Sequence, residues 1–228
     1  MRIAGTGSVL PKKVVTNDML AGFLDTSDEW IRTRTGVVSR HVISDEKLED
    51  MAIEAAKRAL DNAGMTADEL DFIICSNVVN EYVTPQLSCI IQGGIGAECP
   101  CIDINCACAG FIYAVEIAES FYQAGKVKNV LVVSAEEPTR MTDWSDRRTC
   151  VLFGDGAGAA VLTPGDNIRC VKLSASSATD KLWQYRLLHP TPYITKEEVD
   201  TPLQMKGQDV FKFAVKAASK DISRTLKE

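Results

Sequence analysis

The chain has 228 residues, with 31 acidic against 25 basic side chains and a formal charge of −6. Apolar residues make up 46% and charged residues 25%, an ordinary globular composition that excludes a disordered chain or a collagen-like repeat. The acidic balance argues against general binding to nucleic acid.

Residues 2–10 read as β-structure carrying Gly5 and Gly7, ended by Pro11, and a short helix follows from about Asn17. Thr26-Ser27-Asp28-Glu29 opens the next helix. Either hydroxyl can cap it, the acids suit its positive end, and Arg32 and Arg34 fall near its close. Residues 49–63 repeat small apolar side chains at three and four, through Ala52, Ala55, Ala56, Ala59 and Ala63, with Gly64 as the stop. That stripe predicts a helix packed closely on a sheet.

Residues 71–76 read as a buried strand, 85–93 as a helix with Pro85 in its first turn, 100–105 as a strand and 109–123 as a helix. Residues 129–135 form the continuous apolar run of a strand covered on both faces. Residues 151–162 hold a glycine-interrupted β-segment, and 168–177 a further strand. The stretch 178–200, with Pro190 and Pro192, reads as a surface insertion. Residues 203–206 predict a short strand and 210–226 a final helix. Strands alternating with helices predict an α/β fold.

No apolar run is long enough for an export signal or a membrane span. The eight cysteines read as reduced thiols of a cytoplasmic protein, since a core of this size does not need a disulfide framework. Cys99, Cys101, Cys106 and Cys108 lack the usual C-x-x-C spacing of a zinc site, so no metal is expected. The run FGDGAGAA, from Phe153, lacks the Lys and the following Ser or Thr of a phosphate loop.

The strongest local signal is INCACAGF, residues 104–111. A strand ends, a cysteine follows, and a helix opens among small neighbours. A thiol at that junction faces the positive end of the helix dipole, which favours the nucleophilic thiolate. Cys108 is therefore a candidate nucleophile for acyl transfer; the alternative is a buried structural thiol.

CACAGF, with FGDGAGAAVL downstream and TSDEWIRTRTG upstream, resembles the β-ketoacyl-acyl carrier protein synthase III family. The likeness runs from the N-terminal GTGSVLP to VFKFAV near the C-terminus. It implies a thiolase-like α/β fold and an acyltransferase that initiates fatty acid synthesis. An acyl group passes from coenzyme A to Cys108. Malonyl-acyl carrier protein then loses carbon dioxide and condenses with the thioester. Coenzyme A is a substrate here, and no cofactor is implied.

By the same resemblance, Thr26, Trp30, Arg34 and Arg147 match the coenzyme A contacts. An indole face and guanidinium planes suit an adenine ring. For Arg147 a structural salt bridge to Asp143 or Asp146 is the alternative. Phe153, Leu203, Met205 and Gly207 match positions along the acyl and pantetheine channel, with plain core as their other reading. Thr84 matches the position that reaches into a partner subunit's acyl pocket, where its small size suits a longer or branched primer. Lys212 and Lys216 match the dock for an acidic carrier protein, on a stripe continued by Lys220 and Arg224, which also reads as a solvated helix face. A homodimer is implied.

The family completes its active site with a His and an Asn, in segments resembling PHQAN and HGN motifs. Neither motif stands in these 228 residues. His41 falls where the family has no catalytic role, and His189 in a variable stretch. The resemblance thus implies a thiolase-like half at 1–164, the beginning of a second half at 165–228, and no condensation by this chain alone. Two other readings share these motifs: a quinolone- or polyketide-type starter acyltransferase, and a non-catalytic subunit that binds carrier protein.

Overall fold

The computed structural model describes residues 1–168, 171–186, 191–193 and 201–227. In chain order the elements are β1 (Arg2–Val9), β2 (Lys13–Thr16), α1 (Asn17–Ala21), α2 (Asp28–Thr35), β3 (Ser39–Val42), α3 (Leu48–Ala63), β4 (Phe72–Ser76), α4 (Leu87–Ile95), β5 (Cys101–Ile104), α5 (Gly110–Gln123), β6 (Val130–Glu136), β7 (Gly156–Thr163), β8 (Leu182–Trp183), β9 (Gln204–Met205) and α6 (Gly207–Thr225). They divide into two compact units.

The first unit comprises Met1–Val14, Arg40–Pro138 and Gly154–Leu173. Its sheet has the order β1-β7-β6-β4-β5. β4 runs parallel to both β5 and β6, while β7 is antiparallel to β6 and β1. Alternate residues of β6 serve opposite faces. Leu131, Val133 and Ala135 pack with α3 and α4, and Val130 and Val132 with Ala114, Val115 and Ala118 of α5. Burial on both faces explains why this strand reads as an unbroken apolar run.

The alanine stripe of α3 is fully buried at Ala52, Ala55, Ala56 and Ala59. It meets the two glycines of β1. A Cβ on Gly5 would strike the Ala59 carbonyl, and one on Gly7 the Ala55 carbonyl. Backbone therefore lies on backbone, the close packing that the stripe predicts. Gly64 ends α3 at φ 66°, with its N–H donating to Leu60 and Asp61 carbonyls.

The second unit comprises Val15–Ser39, Thr139–Phe153 and Ser174–Glu228. It contains α2, capped by the Ser27 hydroxyl, which accepts from Trp30 N–H at 3.0 Å. It also holds the β8–β9 ribbon and α6, which are joined by Lys181 bridging Asp180 and Asp209, both at 3.1 Å.

Several sequence expectations shift. Two short strands, β2 and β3, form a ribbon that periodicity did not reveal. The strand expected at 168–177 is absent at 168 and 171–177, and 169–170 lie outside the described residues. The β-segment expected from residue 151 begins at Gly156, after a turn. α4 starts at Leu87, two residues beyond Pro85. His189 and Pro190 lie outside the described residues, and the surface stretch contains the two-residue β8.

Candidate active site

β4 and β5 end together, Ser76 standing opposite Ile104, and Ser76 also stands opposite Ser134 of β6. In open α/β sheets, the carboxyl ends of parallel strands are where sites are built. Here the chain leaves β5 through Asn105 and Cys106, makes a single 3-10 turn over Ala107–Ala109, and enters α5 at Gly110. Cys108 sits in the middle of that turn and is exposed.

The turn is tight. Ala107 has φ 47° without being glycine, a left-handed conformation worth about 1 kcal/mol of strain. Its N–H donates to the Asn105 side chain at 3.4 Å, and Ala109 N–H donates to the Cys106 carbonyl at 3.2 Å. Gly110 is needed because a Cβ there would fall on the Ser76 hydroxyl. The α5 N-terminus thus rests directly on the end of β4, and Cys108 precedes that positive helix end by two residues.

Sequence reasoning missed the polar groups beside this edge. Buried Asn77 donates from Nδ2 to the Ala135 carbonyl at 2.6 Å and to the Val79 carbonyl at 3.0 Å. Its Oδ1 accepts from Asn80 at 2.8 Å. Glu136 closes β6 half-buried, accepting from Val78 N–H at 3.1 Å, and burial pushes its carboxyl up to about 7. Their signal was position alone: each lies at the end of an apolar strand.

In the second unit, Trp30, Arg34 and Arg147 come together. The guanidinium carbon of Arg34 lies 4.5 Å from the indole centroid and that of Arg147 5.0 Å. Arg147 also donates to the Asp25 backbone carbonyl and pairs with its carboxylate at 3.2 Å. The salt bridge considered for Arg147 therefore exists, but to Asp25 rather than to Asp143 or Asp146. Asp146 pairs with Arg148 instead, at 2.9 Å. The Thr26 hydroxyl oxygen, one residue after Asp25, is buried without a hydrogen-bond partner among the described residues.

Phe153, Leu203 and Met205 are all half-buried, and Gly207 opens α6. Leu203 N–H donates to the Met141 carbonyl at 2.7 Å, and a Cβ on Gly207 would touch the end of Met205 at 3.6 Å. Lys212 and Lys216 are exposed on α6. Lys216 lines a groove of about 380 Å³ with Lys220, Arg224 and Phe213. Among the described residues, no group of three or more His, Cys, Asp or Glu is placed to hold a metal ion. No helix among them is long and apolar enough to cross a membrane.

A mixed sheet between helical layers, with an exposed cysteine on the turn from a parallel strand into a helix, agrees with the thiolase-like fold that the resemblance implies, and the solved structures match it. A family model described as 3-oxoacyl-(acyl-carrier-protein) synthase III matches residues 102–180. β-Ketoacyl-(acyl-carrier-protein) synthase III of Xanthomonas campestris pv. campestris strain 8004 is 44% identical over 229 residues, covering 99% of this chain and 70% of that protein. The crystal structure of the synthase III from Aquifex aeolicus VF5 is 40% identical with a TM-score of 0.75, over 92% of this chain and 66% of that one. That from Pseudomonas aeruginosa PAO1 is 32% identical with a TM-score of 0.86, over 99% and 69%. The chain belongs to the β-ketoacyl-acyl carrier protein synthase III family of acyltransferases. It spans about two thirds to seven tenths of the length of these relatives.

Proposed function

We propose that Cys108 is the acyl-accepting nucleophile of a 3-oxoacyl-(acyl carrier protein) synthase that initiates fatty acid synthesis. The observation that carries this reading is the exposed thiol on a strained turn at the start of α5, in a chain 44% identical to a named synthase III. The Cys108 thiolate attacks the thioester carbon of an acyl-coenzyme A. A new C–S bond forms, the bond to the coenzyme A sulfur breaks, and that thiolate leaves with the electron pair. Malonyl-acyl carrier protein then loses carbon dioxide. The resulting carbanion attacks the Cys108 thioester and returns the cysteine as thiolate.

Trp30, Arg34 and Arg147 hold the adenine, with Thr26 as a nearby contact. Phe153, Leu203, Met205 and Gly207 shape the acyl and pantetheine channel, and Lys212 and Lys216 meet the acidic carrier protein. On this reading residues 1–164 make one thiolase-like half and 165–228 open the second, in a cytoplasmic homodimer. The small Thr84 suits a longer or branched primer. A polypeptide of these 228 residues accepts the acyl group but does not sustain condensation, because the His and Asn that the resemblance calls for are not among them.

The test is incubation with labelled acetyl-coenzyme A followed by intact mass and peptide mapping. The expected result is one acetyl group on Cys108, lost in Cys108→Ala, with no 3-oxoacyl product. A folded sample without an adduct on Cys108 overturns the assignment of the nucleophile. Sustained condensation overturns the division of the reaction.

A further inference from the structure

Gly154, Asp155 and Gly156 lead from Phe153 into β7 and are tied down closely. Asp155 is buried, at 4% exposure. Its N–H donates to the His41 carbonyl at 2.8 Å, and its Oδ2 accepts from Ile43 N–H at 2.8 Å. It thus grips the residues on both sides of Val42, the last of β3. His41 in turn donates from Nδ1 to the carbonyl of buried Pro11 at 2.6 Å. The flanking glycines let the chain run this close. A Cβ on Gly154 would stand 3.1 Å from the His41 carbonyl, and one on Gly156 3.2 Å from the Leu10 side chain.

All of these bonds lie within the first unit, where the chain leaves for the second unit or returns. Pro11 precedes the departure after Val14, His41 follows the return at Arg40, and Asp155 follows the return at Gly154. The excursion Val15–Ser39 carries Trp30 and Arg34, and the excursion Thr139–Phe153 carries Arg147. One buried side chain, with His41 as its relay, therefore joins three of the four roots of these two excursions. The indole and the guanidinium groups that would close on one base come from separate excursions, so their roots govern how well they are pre-organised.

We propose that Asp155 is a positioning residue for coenzyme A: through His41 and Ile43 it fixes the roots of the two excursions that carry Trp30, Arg34 and Arg147. This rests on the reading of those side chains as adenine contacts and of Cys108 as the acyl acceptor. Without the grip, the excursions spend less time in the arrangement that receives the base, and apparent affinity falls by the same fraction. The bond-making step stays as it was, because the Cys108 turn is built from the end of β5 and the start of α5.

The experiment is single-turnover labelling of Cys108 in the full chain, read by intact mass, with two donors. One is acetyl-coenzyme A. The other is S-acetyl-N-acetylcysteamine, a thioester without adenine. Asp155→Ala is expected to raise the half-saturating acetyl-coenzyme A concentration about ten-fold, as when the receptive arrangement falls to about a tenth of its population. The saturating rate, and the rate with the short thioester, stay within about two-fold of the parent. Asp155→Asn keeps an oxygen for Ile43 N–H and recovers most of the affinity. Amide hydrogen exchange speeds up in residues 15–39 and 139–153 and not in β4, β5 or β6. Should Asp155→Ala not fold, Gly154→Ala presses on the same grip with the carboxyl group in place, and the same split is expected. Equal impairment with both donors, impairment with neither, or faster exchange throughout the chain overturns this proposal alone, since the parent still labels at Cys108. A folded parent that takes no acetyl group from either donor overturns the reading of Cys108, and this proposal with it.

Discussion

The guanidinium carbon of Arg147 lies 5.0 Å from the centroid of the Trp30 ring, across 117 residues of sequence. Arg34 lies 4.5 Å from the same centroid. An aromatic face with two planar cations is a ready platform for a flat base. Trp30→Ala is expected to raise the acyl-coenzyme A concentration that half-saturates Cys108 acylation about five- to thirty-fold, equivalent to about 1–2 kcal/mol. The rate of Cys108 acylation at saturation should hardly change, because the contact is equal in ground and transition states. Single-turnover labelling of Cys108 across a range of acyl-coenzyme A concentrations checks this; an unchanged half-saturating concentration removes Trp30 from the site.

Gly110→Ala tests the seat of the nucleophile turn. The added methyl would land on the buried Ser76 side chain, and overpacking of this kind costs about 1–3 kcal/mol. Urea denaturation should show the loss. Adding Ser76→Gly should restore most of it, because the Ser76 Oγ and Cβ that the new methyl meets are then gone. A single variant as stable as the parent would show that α5 does not rest on β4 as described.

Glu136 makes stability depend on pH in a direction opposite to that of a salt-bridged acid. Its folded carboxyl is raised to about 7 from an ordinary 4.5 by burial. Between these values the folded state holds a proton that the unfolded state has released, so stability falls as pH rises. Glu136→Gln keeps an oxygen for Val78 N–H and abolishes the titration. The variant should match the parent near pH 4.5 and exceed it at pH 8, by no more than about 3 kcal/mol. Denaturant midpoints across this range decide the point: parallel profiles would mean that the folded Glu136 carboxyl is not raised above its unfolded value.

Lys212 and Lys216 are exposed on α6, where losing charge costs the fold little. The double charge reversal Lys212→Glu with Lys216→Glu should weaken binding of an acidic acyl carrier protein about ten-fold at low salt, and less as salt is added. Labelling of Cys108 by acyl-coenzyme A should be unaffected. Surface plasmon resonance against carrier protein measures the first, intact mass the second. Equal affinity for parent and variant would leave the stripe as a solvated helix face.

What was legible in the sequence was local or periodic. The alanine stripe of α3 and the glycines of β1 each imply a close neighbour, and they prove to be each other's. The CACAGF junction reads directly as strand, turn and helix, and the structure adds the φ of Ala107, which no residue identity announces. The illegible contacts join distant residues. Asp25 holds Arg147 although acids closer in sequence were available. Asp103 caps α4 from a strand sixteen residues on, whereas capping rules consider only residues at the helix start. The residues 171–177 have strand composition yet no partner strand among the described residues, and extended backbone without a ladder is not a strand.

The level at which β4 and β5 stop, with β6 running two residues further to Glu136, separates two kinds of sequence freedom. Below it, Ile73, Ile74, Leu131 and Val132 answer to neighbours on both faces of a filled sheet. Above it, Asn77 and Asn105 open into segments that need only keep their ends in place. A lineage can therefore revise what enters and leaves the site, one loop at a time, while inheriting the same floor.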